Sequence, residues 1–366
     1  MKNAIKYIIS ALAAVILLYF SFRGVKWEDF YAGLRFCRWG WIIAAMIAGG
    51  MSFWVRALRW KKLLSPIDPT ITRKVSFNAI NISYIANLVL PRIGEFVRCG
   101  FITRHSQMVR VNADVPGRSS QVQEHRLASY DKVLGTVVLE RSWDVLTMLI
   151  LVAVMTVSMW GRYGNFFIDK IFKPFSDRLG AGFWIVLLGL AAACAGALWM
   201  LWHFRNRNVV LKKVAGFAKG LWEGIISCMK MKQGWQFIVQ TVAVWTLYWF
   251  MSYAVLNAVR GMDTSALAPD LATAVSGLAG LGALDALFLM LAGSLSSLVP
   301  VPGGFGAFHY IVATALATVY GVPFEIGIIF ATLSHESQTV MQIICGSCSY
   351  VSESLDVVKG VNYEVK

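Results

Sequence analysis

Long apolar stretches, separated by short polar and basic segments, recur along this chain. The hydrocarbon core of a bilayer requires about 20 apolar residues per helix. Stretches of roughly this length predict membrane-spanning helices at residues 3–22, 39–58, 133–160, 183–204, 237–258 and 325–351. The pattern therefore predicts an all-α polytopic membrane protein with about six full spans.

Two further apolar regions lack the continuity of a simple span. Residues 75–104 break at Pro91-Arg92-Ile93-Gly94, and residues 271–320 break at Pro300-Val-Pro-Gly-Gly-Phe-Gly306. Lysines and arginines flank the first region on both sides, so the positive-inside rule places both of its ends in the cytoplasm. A segment that begins and ends on one side of the bilayer is a re-entrant hairpin. We therefore predict two hairpins in addition to the six spans.

The order of these elements predicts an inverted repeat. With a cytoplasmic N-terminus, residues 1–160 and residues 183–351 run through the same elements in opposite orientation, and the C-terminus also reaches the cytoplasm. Residues 105–131 are predicted to form a cytoplasmic loop and residues 352–366 a C-terminal tail. Inverted repeats with broken helices recur in transporters, because non-helical backbone at membrane depth must be satisfied by protein or by a water-filled cavity.

The composition agrees with a lipid environment, since 57% of the 366 residues are hydrophobic. In a soluble protein the net charge of +14 would suggest nucleic acid. Here the basic residues lie between apolar spans, where anionic headgroups attract them, so we expect a membrane and not a nucleic acid as partner. The nearest cysteine pair, Cys345 and Cys348, has no second pair to complete a zinc site, and we expect neither a metal nor a cofactor.

Charged residues in the first hairpin are candidates for substrate binding. Arg92, Glu95 and Arg98 recur at intervals of three residues and are predicted to share one helix face. Charge in lipid is costly unless it is paired or hydrated. Either the three form a mutual salt bridge, or the two guanidinium groups bind a phosphate beside the start of the second arm. Arg59 and Trp60, with their basic neighbours, are predicted to form an anchor at headgroup level.

The second break adds glycines to this predicted site. Gly303, Gly304 and Gly306 permit a turn in which backbone N–H groups approach a ligand closely, and a plain helix break is the alternative.

Other charges within apolar regions are candidates for charge coupling during transport, with an ion-pair network or helix capping as the alternative. They are Glu140, Arg141, Asp144 and Asp285. His309, His335 and Glu336 lie in the last two arms, where each caps a helix or faces water, and they are weak evidence for a proton relay. We predict no catalytic residue among all of these.

Four blocks of sequence, residues 56–60, 87–98, 139–144 and 300–308, resemble the lysylphosphatidylglycerol synthase transmembrane-region family, also described as flippase-like. The resemblance covers nearly the whole chain. It implies a multi-pass inner-membrane protein whose relatives flip aminoacylated phospholipid, sometimes fused to a soluble aminoacyl-transfer domain for which this chain has no room. His309 departs from the family pattern, which leads us to expect an acidic residue there.

The leading hypothesis is therefore a flippase or transporter for a phospholipid or a lipid-linked anionic substrate, and the sequence leaves a homo-oligomer open. The alternative is a glycosyl or aminoacyl transferase acting on a lipid carrier, with Glu28 and Asp29 of the first external loop as its acidic pair. The sequence contains neither an Asp-x-Asp motif nor a phosphate-binding Gly-Lys-Ser/Thr loop, which counts against the transferase. A membrane scaffold is the third alternative.

Overall fold

A computed structural model describes residues 27–113, 128–164, 234–266 and 269–358, with a few isolated positions between them. All regular structure in these ranges is helical. The helices are α1 (Trp27–Phe36), α2 (Trp39–Leu64), α3 (Arg73–Val89), α4 (Gly94–Ala113), α5 (Tyr130–Ser158), α6 (Gly234–Arg260), α7 (Pro269–Ser276), α8 (Ala283–Ser294), α9 (Ala307–Tyr320) and α10 (Phe324–Val358). A π-helical turn occupies Trp160–Gly164, and 3-10 turns occupy Thr264–Ala266, Leu295–Leu298 and Pro302–Gly304.

Two of the described helices, α2 and α6, are long and apolar enough to cross a membrane. They contain the predicted spans 39–58 and 237–258. The predicted span 133–160 corresponds to α5 within a few residues, and the predicted span 325–351 lies within α10, which continues to Val358. The predicted spans 3–22 and 183–204 lie outside the described residues. The described residues are therefore all helical and consistent with a polytopic membrane protein, while the number of crossings, the re-entrant hairpins and the inverted repeat stay predictions.

Contacts within the chain divide it into two compact units, one made of residues 1–127 with 231–366 and the other of residues 128–230. In the second unit the described structure is α5 and the π-helical turn that follows it. All other described helices belong to the first unit, which contains both helix breaks.

Helices α2 and α6 pack antiparallel, and polar side chains join them along their length. Arg38 Nε donates to the Gly261 carbonyl at 2.6 Å near one end. Arg59 Nη1 donates to Thr241 Oγ1 at 3.2 Å toward the other. The side of α2 that includes Arg59 and Trp60 is buried. The Arg59–Thr241 bond is buried and therefore costly to lose, and together with the exposed Arg38–Gly261 bond it fixes the register of the two helices.

The predicted interfacial anchor is therefore wrong for Arg59 and Trp60, because both side chains are enclosed by protein. The Arg59 guanidinium lies 5.4 Å from the ring centre of Phe237 on α6. Basic and aromatic residues at a predicted membrane boundary are expected both where a segment faces lipid headgroups and where it packs against a neighbouring helix. The composition of the segment therefore does not separate the two locations.

Helix α10 packs along α3, and two polar contacts join the C-terminal end of α10 to the N-terminal end of α3. Lys74 Nζ and Asp356 Oδ2 form an ion pair at 2.5 Å, and Asn78 Nδ2 donates to Glu353 Oε1 at 2.7 Å. Where the helices approach most closely, α10 carries Gly346, and a Cβ added there would lie 2.4 Å from the Ile85 side chain. The absence of a side chain at this position permits the close approach.

Helix α4 continues to Ala113, well past residue 104, where the first hairpin was predicted to end. Ile102 and Ser106 are buried in the continued helix, and Ser106 Oγ donates to Asp68 Oδ2 at 2.5 Å. This burial stabilises extra turns that the polar sequence alone did not indicate. The predicted loop over 105–131 is therefore shorter than expected at both ends, since α5 begins at Tyr130.

Candidate functional site at two helix breaks

The first break, residues 90–93, separates α3 from α4. Leu90 is extended, Pro91 cannot continue the helix, and Arg92 takes a left-handed φ of 60°. Asn87 Oδ1 then accepts a hydrogen bond from the Gly94 backbone N–H at 2.7 Å, which fixes the start of α4 against the end of α3. A left-handed conformation costs a non-glycine residue about 1–2 kcal/mol. The surrounding contacts therefore hold Arg92 in a strained position.

The second break, residues 295–306, separates α8 from α9. Gly303, Gly304 and Gly306 take φ values of 58°, 80° and 77°, which side chains with a Cβ rarely adopt. Pro302 begins the short 3-10 turn, and Gly306 immediately precedes α9. These three glycines make the reversal possible within a few residues.

The two breaks lie together in the folded unit. Arg92 Nη2 donates to the Ser297 carbonyl at 2.7 Å, although 205 positions separate the two residues in sequence. A Cβ added at Gly303 would lie 3.2 Å from Leu88, the last but one residue of α3. Irregular backbone from two distant parts of the chain thus meets at one place, with an arginine at the junction.

The structure places the three charged residues of the first hairpin in different surroundings. Arg92 lies in the turn and not on the helix, so the prediction that it shares one helix face with Glu95 and Arg98 is wrong. Its side chain is exposed. Glu95 is half-buried in the first turn of α4. Arg98 is enclosed, with its guanidinium carbon 4.6 Å from the ring centre of Trp60. Arg92 is the one of the two arginines that an external ligand reaches directly.

A cavity of about 160 Å³ lies beside the second break, between α6, α8, α9 and α10. Its polar lining includes Tyr248, Ser252, Ser294, His335 and Gln338. The Tyr248 hydroxyl accepts a hydrogen bond from Arg56 at 3.2 Å, which brings a buried cation close to the cavity wall. Pockets for drug-sized ligands measure about 300–1,000 Å³. This cavity is therefore smaller than a typical pocket for a drug-sized ligand.

Three titratable side chains converge next to the second break. His335 Nε2 lies 2.8 Å from the Gly303 carbonyl oxygen, and His335 Nδ1 lies 3.1 Å from Glu336 Oε1. His309 Nε2, from the first turn of α9, lies 3.8 Å from the same carboxylate oxygen. No common role was predicted for the three residues from sequence, because their approach depends on how α9 packs against α10.

Comparison with protein families then identifies the chain. The profile of the lysylphosphatidylglycerol synthase TM region matches residues 4–346. The chain belongs to this family. The predicted resemblance is confirmed, and membership makes the chain a membrane protein of lipid metabolism or transport, without separating a flippase from a transferase. No curated protein and no solved structure matches the chain.

In this lysylphosphatidylglycerol synthase TM-region protein, the candidates for charge coupling fall into two groups. Glu140 is buried in α5, and Arg141 Nη1 lies 3.8 Å from Asp144 Oδ2 one turn further along the same helix. Asp285 lies in the first unit, where it accepts hydrogen bonds from the Gly282 N–H at 2.7 Å and the Tyr320 hydroxyl at 2.9 Å. Asp285 thus caps the start of α8, which is the alternative that the sequence left open for it.

The acidic pair of the transferase hypothesis, Glu28 and Asp29, lies in the first turn of α1, a short helix within the segment predicted as the first external loop. Glu28 is exposed. None of the described contacts joins this turn to either break.

Proposed function

We propose that this family member is a flippase or transporter that moves a phospholipid, or a lipid-linked anionic substrate, between the leaflets of the inner membrane. Arg92 is the principal ligand of the headgroup phosphate in this proposal. The observation that carries it is the hydrogen bond from Arg92 to Ser297, which joins two breaks in helices from opposite halves of the sequence.

The chemistry of Arg92 fits a phosphate. A guanidinium group has five N–H donors in a planar fork that matches phosphate oxygens. The contact with Ser297 uses one of the terminal nitrogens, and the side chain is otherwise exposed. The N-terminus of α4, two residues further along, adds the positive end of a helix dipole. A headgroup phosphate at this junction therefore meets both a cation and a favourable dipole.

The same contact keeps the energy barrier low between a closed state, in which the two breaks touch, and an open state, in which they are separated. Hydrogen bonds to charged groups contribute about 1.5–3 kcal/mol, and a phosphate that takes the place of the Ser297 carbonyl recovers this energy. Substrate binding then separates the two breaks without a net loss of hydrogen bonds. In an inverted repeat, such a separation is the step that changes access from one leaflet to the other.

The remaining site candidates have supporting roles in this proposal. The glycine turn at 303–306 lets the second break lie against the headgroup, and Arg98 stabilises α4 by stacking on Trp60. Glu95 balances the charge of the arginines when no substrate is bound. Glu140, Arg141 and Asp144 are the proposed charge-coupling groups, while Asp285 keeps its capping role at the start of α8. Both termini face the cytoplasm.

Leaflet exchange in proteoliposomes tests the proposal. The vesicles contain phosphatidylglycerol with a fluorophore placed away from the headgroup. A membrane-impermeant reductant destroys the fluorescence of labelled lipid in the outer leaflet, so the signal lost over time reports the fraction of labelled lipid in that leaflet. We expect the full chain to accelerate exchange. Loss of a charged hydrogen bond corresponds to a factor of about 10–100, so Arg92→Ala should slow exchange by that factor and Arg92→Lys by less.

The matched control is Arg104→Ala, which removes an exposed arginine from α4, the helix that follows Arg92, without touching either break. It should exchange lipid at the wild-type rate. Equal rates for Arg92→Ala and Arg104→Ala, or no acceleration by the wild-type chain, would refute the proposal.

A further inference from the structure

The cluster of His309, His335 and Glu336 contains a contact that a neutral histidine does not explain. The Gly303 carbonyl only accepts hydrogen bonds, so His335 Nε2, at 2.8 Å from its oxygen, carries a proton and donates it. A neutral imidazole has a proton on one nitrogen alone. Nδ1 then presents its lone pair to Glu336 Oε1 at 3.1 Å. Two acceptors then face each other at hydrogen-bond distance, and either a proton or a metal ion between them satisfies both.

The third residue distinguishes a metal ion from a second proton on His335. A proton satisfies the pair of Nδ1 and Oε1 by itself and has no need of another base. His309 nevertheless brings Nε2 to 3.8 Å from the same oxygen, and its side chain is buried. One donor atom from each of the three residues lies within 4.8 Å of the other two. Three ligands converging on one point are the arrangement that a metal ion uses.

The distances fit a small divalent ion. Zinc lies about 2.0–2.2 Å from histidine nitrogens and carboxylate oxygens, and tetrahedral geometry then separates ligand atoms by roughly 3.4 Å. The separations of 3.1 Å and 3.8 Å from Glu336 Oε1 to the two histidine nitrogens lie on either side of this value. The third separation, between the two histidine nitrogens, is at most 4.8 Å, so the histidine side chains must move closer together to bind a common ion.

The hydrogen bond from His335 to Gly303 is also characteristic of a metal ligand. A ligating histidine almost always donates its other ring N–H to a carbonyl or a carboxylate, which fixes the tautomer and the ring orientation. Phe305 and Phe308 flank the His335 ring, with centroid distances of 4.9 Å and 5.3 Å, and limit its rotation. The ring is therefore held with Nδ1 directed toward the carboxylate.

We propose that His309, His335 and Glu336 bind a divalent transition metal ion of the zinc type, with one coordination position left for water or an anionic ligand. The ion joins α9 to α10 and, through His335 and Gly303, holds the turn of the second break. His335 also lines the neighbouring cavity, so the open position lies near the space that a headgroup oxygen would enter. This site does not depend on the lipid transport proposed above.

Metal content and affinity of the full chain in detergent test the proposal. After removal of metal with EDTA, the protein is loaded with Zn²⁺ and desalted, zinc is measured by mass spectrometry, and its affinity is measured against a fluorescent chelator. We expect about one tightly bound ion per chain. The variants His309→Gln and Glu336→Gln should each weaken this binding by at least 10–100-fold, the loss typical of disturbing even an outer-shell partner.

The control is His105→Gln, which removes a buried histidine of α4 far from this cluster in sequence, and it should bind zinc like the wild type. Elution volume on size exclusion verifies that each variant is folded. If Glu336→Gln does not fold, Glu336→Asp retains a shortened ligand and should show an intermediate affinity. The proposal is overturned if the wild type retains no zinc, or if the cluster variants bind it as tightly as His105→Gln does. A protonated His335 paired with Glu336 then explains the geometry.

Discussion

The junction of α3 and α4 leaves no space for a side chain at Gly94, and Gly94→Ala tests this directly. A Cβ built on Gly94 would lie 2.1 Å from the Ser83 carbonyl oxygen and 2.8 Å from the Asn87 amide. Ordinary carbon–oxygen contacts are about 3.3–3.6 Å. The nearest atom belongs to the backbone of a helix, so a rotamer change cannot relieve the clash and the two arms must separate by about 1 Å.

The cost has two components. Overpacking of a well-packed interior destabilises by about 1–3 kcal/mol. Separation of the arms also lengthens the 2.7 Å hydrogen bond from the Gly94 N–H to Asn87 Oδ1, which is worth about 1 kcal/mol. We therefore expect Gly94→Ala to lower the free energy of unfolding by about 2–4 kcal/mol. Because the same junction orients Arg92, lipid exchange should fall as well.

Gly100→Ala is the matched control, since it makes the same substitution in the same helix at a position with no atom within 4 Å of the added Cβ. Thermal unfolding in detergent, followed by tryptophan fluorescence, should show an apparent Tm several degrees lower for Gly94→Ala. Gly100→Ala should match the wild type or slightly exceed it, because alanine favours a helix over glycine by up to about 1 kcal/mol. Equal melting of the two variants would contradict the described packing at the first break.

Three further predictions concern buried polar groups. Tyr320→Phe removes the hydroxyl that donates to Asp285 and should destabilise by about 1 kcal/mol in the same melting assay, with lipid exchange per folded molecule unchanged. Arg98→Lys retains the charge but loses the contact of the guanidinium with the Trp60 ring, so it should cost about 1 kcal/mol of stability. A large specific loss of lipid exchange would instead place Arg98 in direct contact with phosphate. Burial lowers the pKa of His105 below 6.5, so folding favours its neutral form. The stability that results from this pKa shift is present above about pH 6.5 and is lost as the pH falls below that value. The decrease in Tm on acidification should therefore be smaller in His105→Asn than in the wild type.

The type and approximate position of the described helices could be predicted from the sequence because they depend on local properties. A run of about 20 apolar residues satisfies its own backbone hydrogen bonds as a helix and matches the bilayer. Pro91 and the glycines at 303–306 interrupt helices through the geometry of their own backbones, and both breaks occur where these residues are found. The order of the four sequence blocks likewise identified the family, which the match over residues 4–346 confirms.

The partners of the polar residues were decided by tertiary structure alone. Hydrophobic periodicity cannot separate a helix side that faces lipid from one that faces protein, because both are apolar. Trp60 was placed at the membrane boundary because basic residues surround it in sequence, and that composition does not show whether the ring faces headgroups or a neighbouring helix. Only packing brings Arg92 to Ser297 and His335 to Gly303, pairs that are 205 and 32 residues apart. A side chain far along the sequence becomes a neighbour when helices approach, and no local pattern records that approach. The sequence therefore determined where this protein bends its helices, and the fold decided which charges meet at the bends.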